Sequence, residues 1–131
     1  LIVCSYHGIP KSYFDKGDPY HCYCHKTTRL IKEKFNKIDI QTTFQSRFGP
    51  QEWLTPYTDK TIEELPKKGI KNLLVLCPGF ASDCVETLEE INIQGKESFL
   101  ENGGENFDLI PCLNDNNDHI NLFEKLVRKY L

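Results

Sequence analysis

Residues 72–79 read NLLVLCPG. Leu73, Leu74, Val75, Leu76 and Cys77 form an unbroken apolar run, closed by Pro78 and Gly79. A strand with one wet face alternates apolar and polar residues. An uninterrupted run of this length instead marks a strand buried on both faces of a parallel sheet. Three further runs, at residues 1–5, 40–46 and 107–111, are each bounded by Gly, Pro or polar residues and read as strands. Helical patterns fill the intervals at residues 22–36, 59–68, 83–101 and 117–130. In the last of these Ile120, Leu122, Phe123, Leu126, Val127 and Tyr130 recur near helical spacing. The order β-α-β-α-β-α-β-α predicts an α/β domain of three layers. A four-stranded parallel sheet lies between helices, with right-handed crossovers, in one domain over residues 1–131.

Composition agrees with that class. The chain has 131 residues, 39% hydrophobic and 27% charged, enough for a single core. A net charge of −3 with no basic stripe argues against a nucleic-acid partner. No apolar run approaches the roughly 20 residues that span a bilayer. The first residues have no basic and long apolar leader pattern. The chain contains no methionine and opens on the apolar Leu1, Ile2 and Val3, so an upstream segment is expected. Six cysteines are spread through helix and strand patterns rather than packed into a loop-rich scaffold, which predicts free thiols in a reducing compartment. A cytoplasmic location follows. The Lys-, Asn- and Ile-rich composition leaves a mitochondrion or plastid open if the source is eukaryotic.

Ligands of open parallel sheets collect beyond the carboxyl ends of the strands. Here those segments are SYHGIP (5–10), QSRFGPQEWL (45–54), CPGFASD (77–83) and PCLND (111–115). His7 follows the first strand, where an imidazole can bind metal, move protons, or simply bond to backbone. Glu86 opens the third helix, and its D-x-x-E spacing from Asp83 also fits a capping box. Glu90 and Gln94 continue at four-residue steps. Like charges at i, i+4 disfavour a helix, so a carboxylate row is better explained if it meets a cation such as Fe²⁺. The lone Trp53 can stack on a flat ligand or cap the core edge. Arg47 can grip a ligand carboxylate or form a surface ion pair. Tyr6, Tyr13, Tyr20 and Tyr57 cluster in the same region, and Tyr6 is placed with the substrate-facing residues. The segment HCYCH (21–25) reads either as a thiol and imidazole metal site or as a helix start with incidental thiols.

Five segments together resemble ferrochelatases of the proteobacterial type: SYHGIP (5–10), CHKTTR (24–29), TTFQSRFGPQEWLTPYTD (42–59), CPGFASDCVETLEEI (77–91) and IPCLND (110–115). The resemblance runs the length of the chain. It implies a chelatase-type, Rossmann-like fold of two similar halves around a porphyrin cleft, with this chain as the C-terminal half and the N-terminal half as its partner. It implies insertion of ferrous iron into protoporphyrin IX, the last step of haem biosynthesis, although a coproporphyrin substrate stays open. It makes His7 and Glu86 the catalytic pair and His7, Glu86 and Glu90 the residues that meet the metal, with Gln94 where some relatives have a carboxylate. Trp53 matches the family's pocket tryptophan. No organic cofactor is implied, since Fe²⁺ and porphyrin are both substrates. Some relatives hold a [2Fe–2S] cluster through a C-terminal extension that this sequence lacks, so no cluster is expected. Peripheral membrane association is left open. A cobaltochelatase of the same architecture and a non-catalytic haem- or metal-binding α/β module are the competing readings.

Overall fold

The computed structural model describes residues 1–35 and 37–131. Four strands, β1 (Ile2–His7), β2 (Ile40–Gln45), β3 (Asn72–Leu76) and β4 (Asn106–Leu109), form one parallel sheet in the order β2-β1-β3-β4. Side chains alternate across it. Val3, Leu73, Val75 and Phe107 enter one core. Ile2, Cys4, Tyr6, Ile40 and Phe44 enter the other. Both faces are therefore covered, which is why the run from Leu73 to Cys77 needs no polar member.

Helices α1 (Lys11–Asp15) and α2 (Tyr20–Lys32) connect β1 to β2, and α2 packs through Cys24 on the second core. Helix α3 (Thr58–Glu64) and a 3₁₀ turn (Pro66–Lys68) precede β3 and close the first core through Ile62 and Leu65. After β3 come α4 (Val85–Leu88), a π-helical turn (Glu90–Gly95) and α5 (Lys96–Glu101), which add Ile91 and Phe99. Helix α6 (Asn117–Val127) follows β4. The chain leaves β1 towards β2 and returns to the other side of β1 as β3. The crevice where connections diverge therefore lies at the carboxyl ends of β1 and β3.

The helix expectations are adjusted. Helix α2 begins earlier than residue 22 because Asp18 Oδ1 accepts from the Tyr20 amide at 2.8 Å, a cap placed before Pro19. Its expected end at Asn36 lies outside the described residues. The expected helix 59–68 breaks at Pro66, whose ring cannot continue an α-helical ladder. The expected continuous helix 83–101 is interrupted: the Gln94 amide donates to Glu89 O at 3.0 Å, an i→i+5 bond. Gly95 permits this close turn, because a Cβ there would meet Ile62 Cδ1 at 3.3 Å. Helix α6 starts where its spacing predicts, capped by Asn116 accepting from the Asp118 amide at 2.9 Å, and ends at Val127 rather than at Tyr130. Yet Ile120, Phe123 and Leu126 stay exposed, and only His119 of that helix is buried.

Candidate active site

His7 is the last residue of β1, at the switch point. Its Nδ1 lies 2.7 Å from Gly8 O. A carbonyl oxygen only accepts, so Nδ1 carries a proton in this contact, and Nε2 is the ring nitrogen left to exchange a proton or meet a ligand. The Tyr20 hydroxyl donates to His7 O at 2.8 Å and ties this strand end to α2. Phe80, in the loop after β3, faces the imidazole with ring centroids 6.4 Å apart. Gly8 lets the chain turn tightly here: its amide donates to Gln45 O at 2.8 Å, and a Cβ would sit 3.0 Å from that oxygen and 3.2 Å from Trp53 Cε3.

Glu86 stands across the crevice in the first turn of α4. The reciprocal cap of that helix is made by Cys84 and Thr87, with the Cys84 amide donating to Thr87 Oγ1 at 3.1 Å. The D-x-x-E pair is therefore not a capping box, and the Glu86 carboxylate is released from that duty. Its carboxyl is held below its ordinary range by a hydrogen bond from the Cys84 side chain, then by its own backbone N–H, with a contribution from His7. The last cause places His7 and Glu86 within each other's field. The pair combines a half-buried base with a carboxylate that stays ionised near neutral pH.

Asp83 holds the loop in place. It accepts from Asn114 Nδ2 at 2.8 Å, Thr87 Oγ1 at 3.1 Å and the Cys112 amide at 3.3 Å, and these bonds, Asn114 first, lower its carboxyl. It thereby couples the segments after β3 and β4. Only its position beyond a strand end hinted at this role.

Glu90 is anchored differently from Glu86. Its carboxylate accepts from the Ser46 amide at 2.7 Å, Ser46 Oγ at 2.6 Å and Gln45 Nε2 at 3.2 Å. Ser46 adopts φ +64°, a left-handed conformation that these bonds support. Gln45 is the buried hub: Nε2 also donates to Glu86 O at 2.7 Å, and Oε1 accepts from Ser5 Oγ at 2.7 Å. The expected metal-meeting set of His7, Glu86 and Glu90 is not drawn into one cluster, and no three metal-ligating side chains gather among the described residues. The π turn also breaks the expected row, since Gln94 Nε2 donates to Glu89 Oε1 at 2.6 Å. A cavity of about 320 Å³ lies beside Glu90, lined by Ser46, Arg47, Asp59 and Gln94 among others, with His7 and Glu86 outside it.

Three residues expected to face substrate have partners within this chain. Tyr6 is 3% exposed, its hydroxyl sharing a 3.0 Å hydrogen bond with Thr28 Oγ1, and burial pushes its pKa up to about 12. Strand alternation puts it on the α2 side with Ile2 and Cys4, so it belongs to the core rather than to the rim. Arg47 makes the ion pair of its alternative reading: its two terminal nitrogens donate to Asp59 at 2.8 Å each, and the guanidinium lies 3.9 Å over the Tyr57 ring. Trp53 is buried, with Nε1 donating to Phe48 O at 2.9 Å, while Phe48 above it is 72% exposed. HCYCH is helical, so Cys22 is exposed and Cys24 buried on the opposite side, and the two thiols cannot share an ion. All six cysteines are free.

The crystal structure of the cobalamin (vitamin B12) biosynthesis CbiX protein from Marinobacter aquaeolei VT8 superposes with a TM-score of 0.56 at 14% identity, covering 98% of this chain and 93% of that one, and shares its fold. Ferrochelatases from Agrobacterium fabrum and Brucella ovis are each 56% identical over 133 aligned positions, and that of Rhizobium meliloti is 57% identical. Each alignment covers all of this chain and 38–39% of the relative, so the chain spans about two fifths of their length. The family model for ferrochelatase matches residues 1–131. The chain belongs to the ferrochelatase family.

Proposed function

We propose that this chain supplies one wall of the active site of an enzyme that inserts ferrous iron into protoporphyrin IX. The reading is supported by the family match along the whole chain, together with the placement of His7 at the end of β1 and of Glu86 in the first turn of α4, near enough for His7 to help lower the Glu86 carboxyl. Metallation must remove two pyrrole protons and bring Fe²⁺ to the ring centre. Each proton leaves with no change in nitrogen oxidation state, so the chain needs a base and a fixed negative charge, not a redox group. His7 Nε2 accepts the two pyrrole protons one at a time, passing the first to solvent before taking the second, its tautomer set by the bond to Gly8 O. Glu86, ionised at neutral pH, stabilises the resulting imidazolium and meets the incoming cation. Binding a bent macrocycle would expose the pyrrole nitrogens and lower the barrier. Phe48, against Trp53, and Phe80, against His7, provide apolar surface.

The remaining three fifths of the enzyme would form the opposite wall. Among the described residues, no helix is long and apolar enough to cross a membrane. In the full-length enzyme, His7→Ala and Glu86→Gln should each abolish iron insertion, followed as haem absorbance, while porphyrin fluorescence still reports binding. Near-normal turnover in either variant sinks the assignment. Competition between Fe²⁺ and Co²⁺ separates this reading from a cobaltochelatase, and absence of any turnover by the intact wild-type enzyme favours a binding module.

A further inference from the structure

We propose that His21 and His25 on α2 form a two-imidazole site for a divalent transition-metal ion of borderline softness, such as Zn²⁺, separate from the His7–Glu86 pair. Four residues apart on a helix, the two side chains share one face. Their ring centroids are 4.4 Å apart, at 48° to each other. Two histidines at this spacing are the pair with which a helix grips zinc in H-E-x-x-H sites. His21 is already oriented: it stacks on Phe44 at 5.7 Å and 21°, and Phe14 flanks it at 4.9 Å. One ligand is thus preorganised by aromatic walls, and the more exposed His25 closes the chelate.

The ring nitrogens are available. His7 and His119 each have Nδ1 held by a backbone oxygen. Among the described residues neither His21 nor His25 has a hydrogen-bond or ion-pair partner, and no carboxylate is set to hold either as a cation. Imidazole donors favour Zn²⁺, Cu²⁺ and Ni²⁺ over Mg²⁺ or Ca²⁺. With two protein ligands the ion keeps water in its other positions and is open to exchange. Cys22 is exposed on the neighbouring face and Cys24 is buried away, so the donor set is nitrogen and water.

The test is calorimetric titration of Zn²⁺ into the full-length enzyme carrying His7→Ala and Cys22→Ser, which removes the edge histidine and the exposed thiol. The expected result is a saturable Zn²⁺ site, absent when His21→Gln and His25→Gln are both added, and no heat with Mg²⁺. Adding His25→Gln or His21→Gln should weaken binding by about tenfold or more, the loss expected when a metal site is stripped of a group it depends on. Because His25 is exposed, its variant should melt with the parent. Unchanged affinity in both variants, or no saturable binding in the parent, overturns the proposal. The readout does not use iron insertion, so failure here leaves the proposed activity standing, and failure of the activity assay leaves this site standing.

Discussion

Replacing Gln45 with leucine isolates what holds the two walls of the crevice together. Gln45 is 3% exposed, and leucine fills nearly the same volume, so the cavity left behind is small. The loss is polar. Glu86 O loses its 2.7 Å donor, and Glu90 loses one of three donors while keeping both from Ser46. Ser5 keeps its 2.8 Å contact with Thr58. An orphaned buried group costs about 1–3 kcal/mol, so one orphaned carbonyl and one weakened carboxylate come to about 2–4 kcal/mol. Unfolding entropy near 2.1 cal/mol/K per residue gives roughly 0.28 kcal/mol/K for 131 residues, so the melting temperature should fall by about 7–14 °C. The assay is thermal unfolding by far-ultraviolet circular dichroism, with Gln94→Ala as control, since that exposed amide bonds only to Glu89. A Gln45→Leu melt within about 2 °C of the parent would refute the hub, because the smallest expected cost is several times the shift typical of neutral surface changes.

Other outcomes follow from the same contacts. Ser46→Ala removes the 2.6 Å hydroxyl bond to Glu90 while keeping a strained φ of +64°, so urea unfolding should show a loss of about 2 kcal/mol. Ser46→Gly should lose less, because glycine accepts that backbone conformation. Asp83 has a carboxyl lowered below its reference value of 3.8, so its contribution exists above that value and disappears as pH falls through the folded-state pKa. The stability gap between the parent and Asp83→Asn should therefore be widest near pH 7 and close in strong acid, read as the difference in urea midpoints. Gly8→Ala drives a Cβ to 3.0 Å from Gln45 O and 3.2 Å from Trp53, and should cost about 1–3 kcal/mol with a change in tryptophan emission.

The sheet was readable because hydrophobic burial is written along the chain. The unbroken run at Leu73–Leu76 requires two covered faces, and the two cores on either side of β1 and β3 meet that requirement. Strand ends could then be located, and with them His7 and the segment leading to Glu86, since parallel topology brings carboxyl ends to one edge whatever the loops do. The motif stretches pointed to the ferrochelatase family in the same way, as local strings.

What depended on the tertiary structure was which polar atoms meet. Gln45 is an unremarkable strand residue until Glu86 and Glu90, some forty residues away, are brought beside it. The π turn rests on one shifted hydrogen bond and on Gly95 approaching Ile62, and helical periodicity over 83–101 looks the same without it. Tyr6 and His7 are adjacent in sequence, yet one is buried against α2 and the other stands at the crevice, because successive strand residues point to opposite faces. Apolar spacing in α6 predicted a helix correctly but not its burial, since a periodic stripe records where a face lies and not what covers it. Local patterns act over a few residues through backbone preference and burial. Hydrogen bonds between distant side chains depend on distances that exist only once the sheet is assembled.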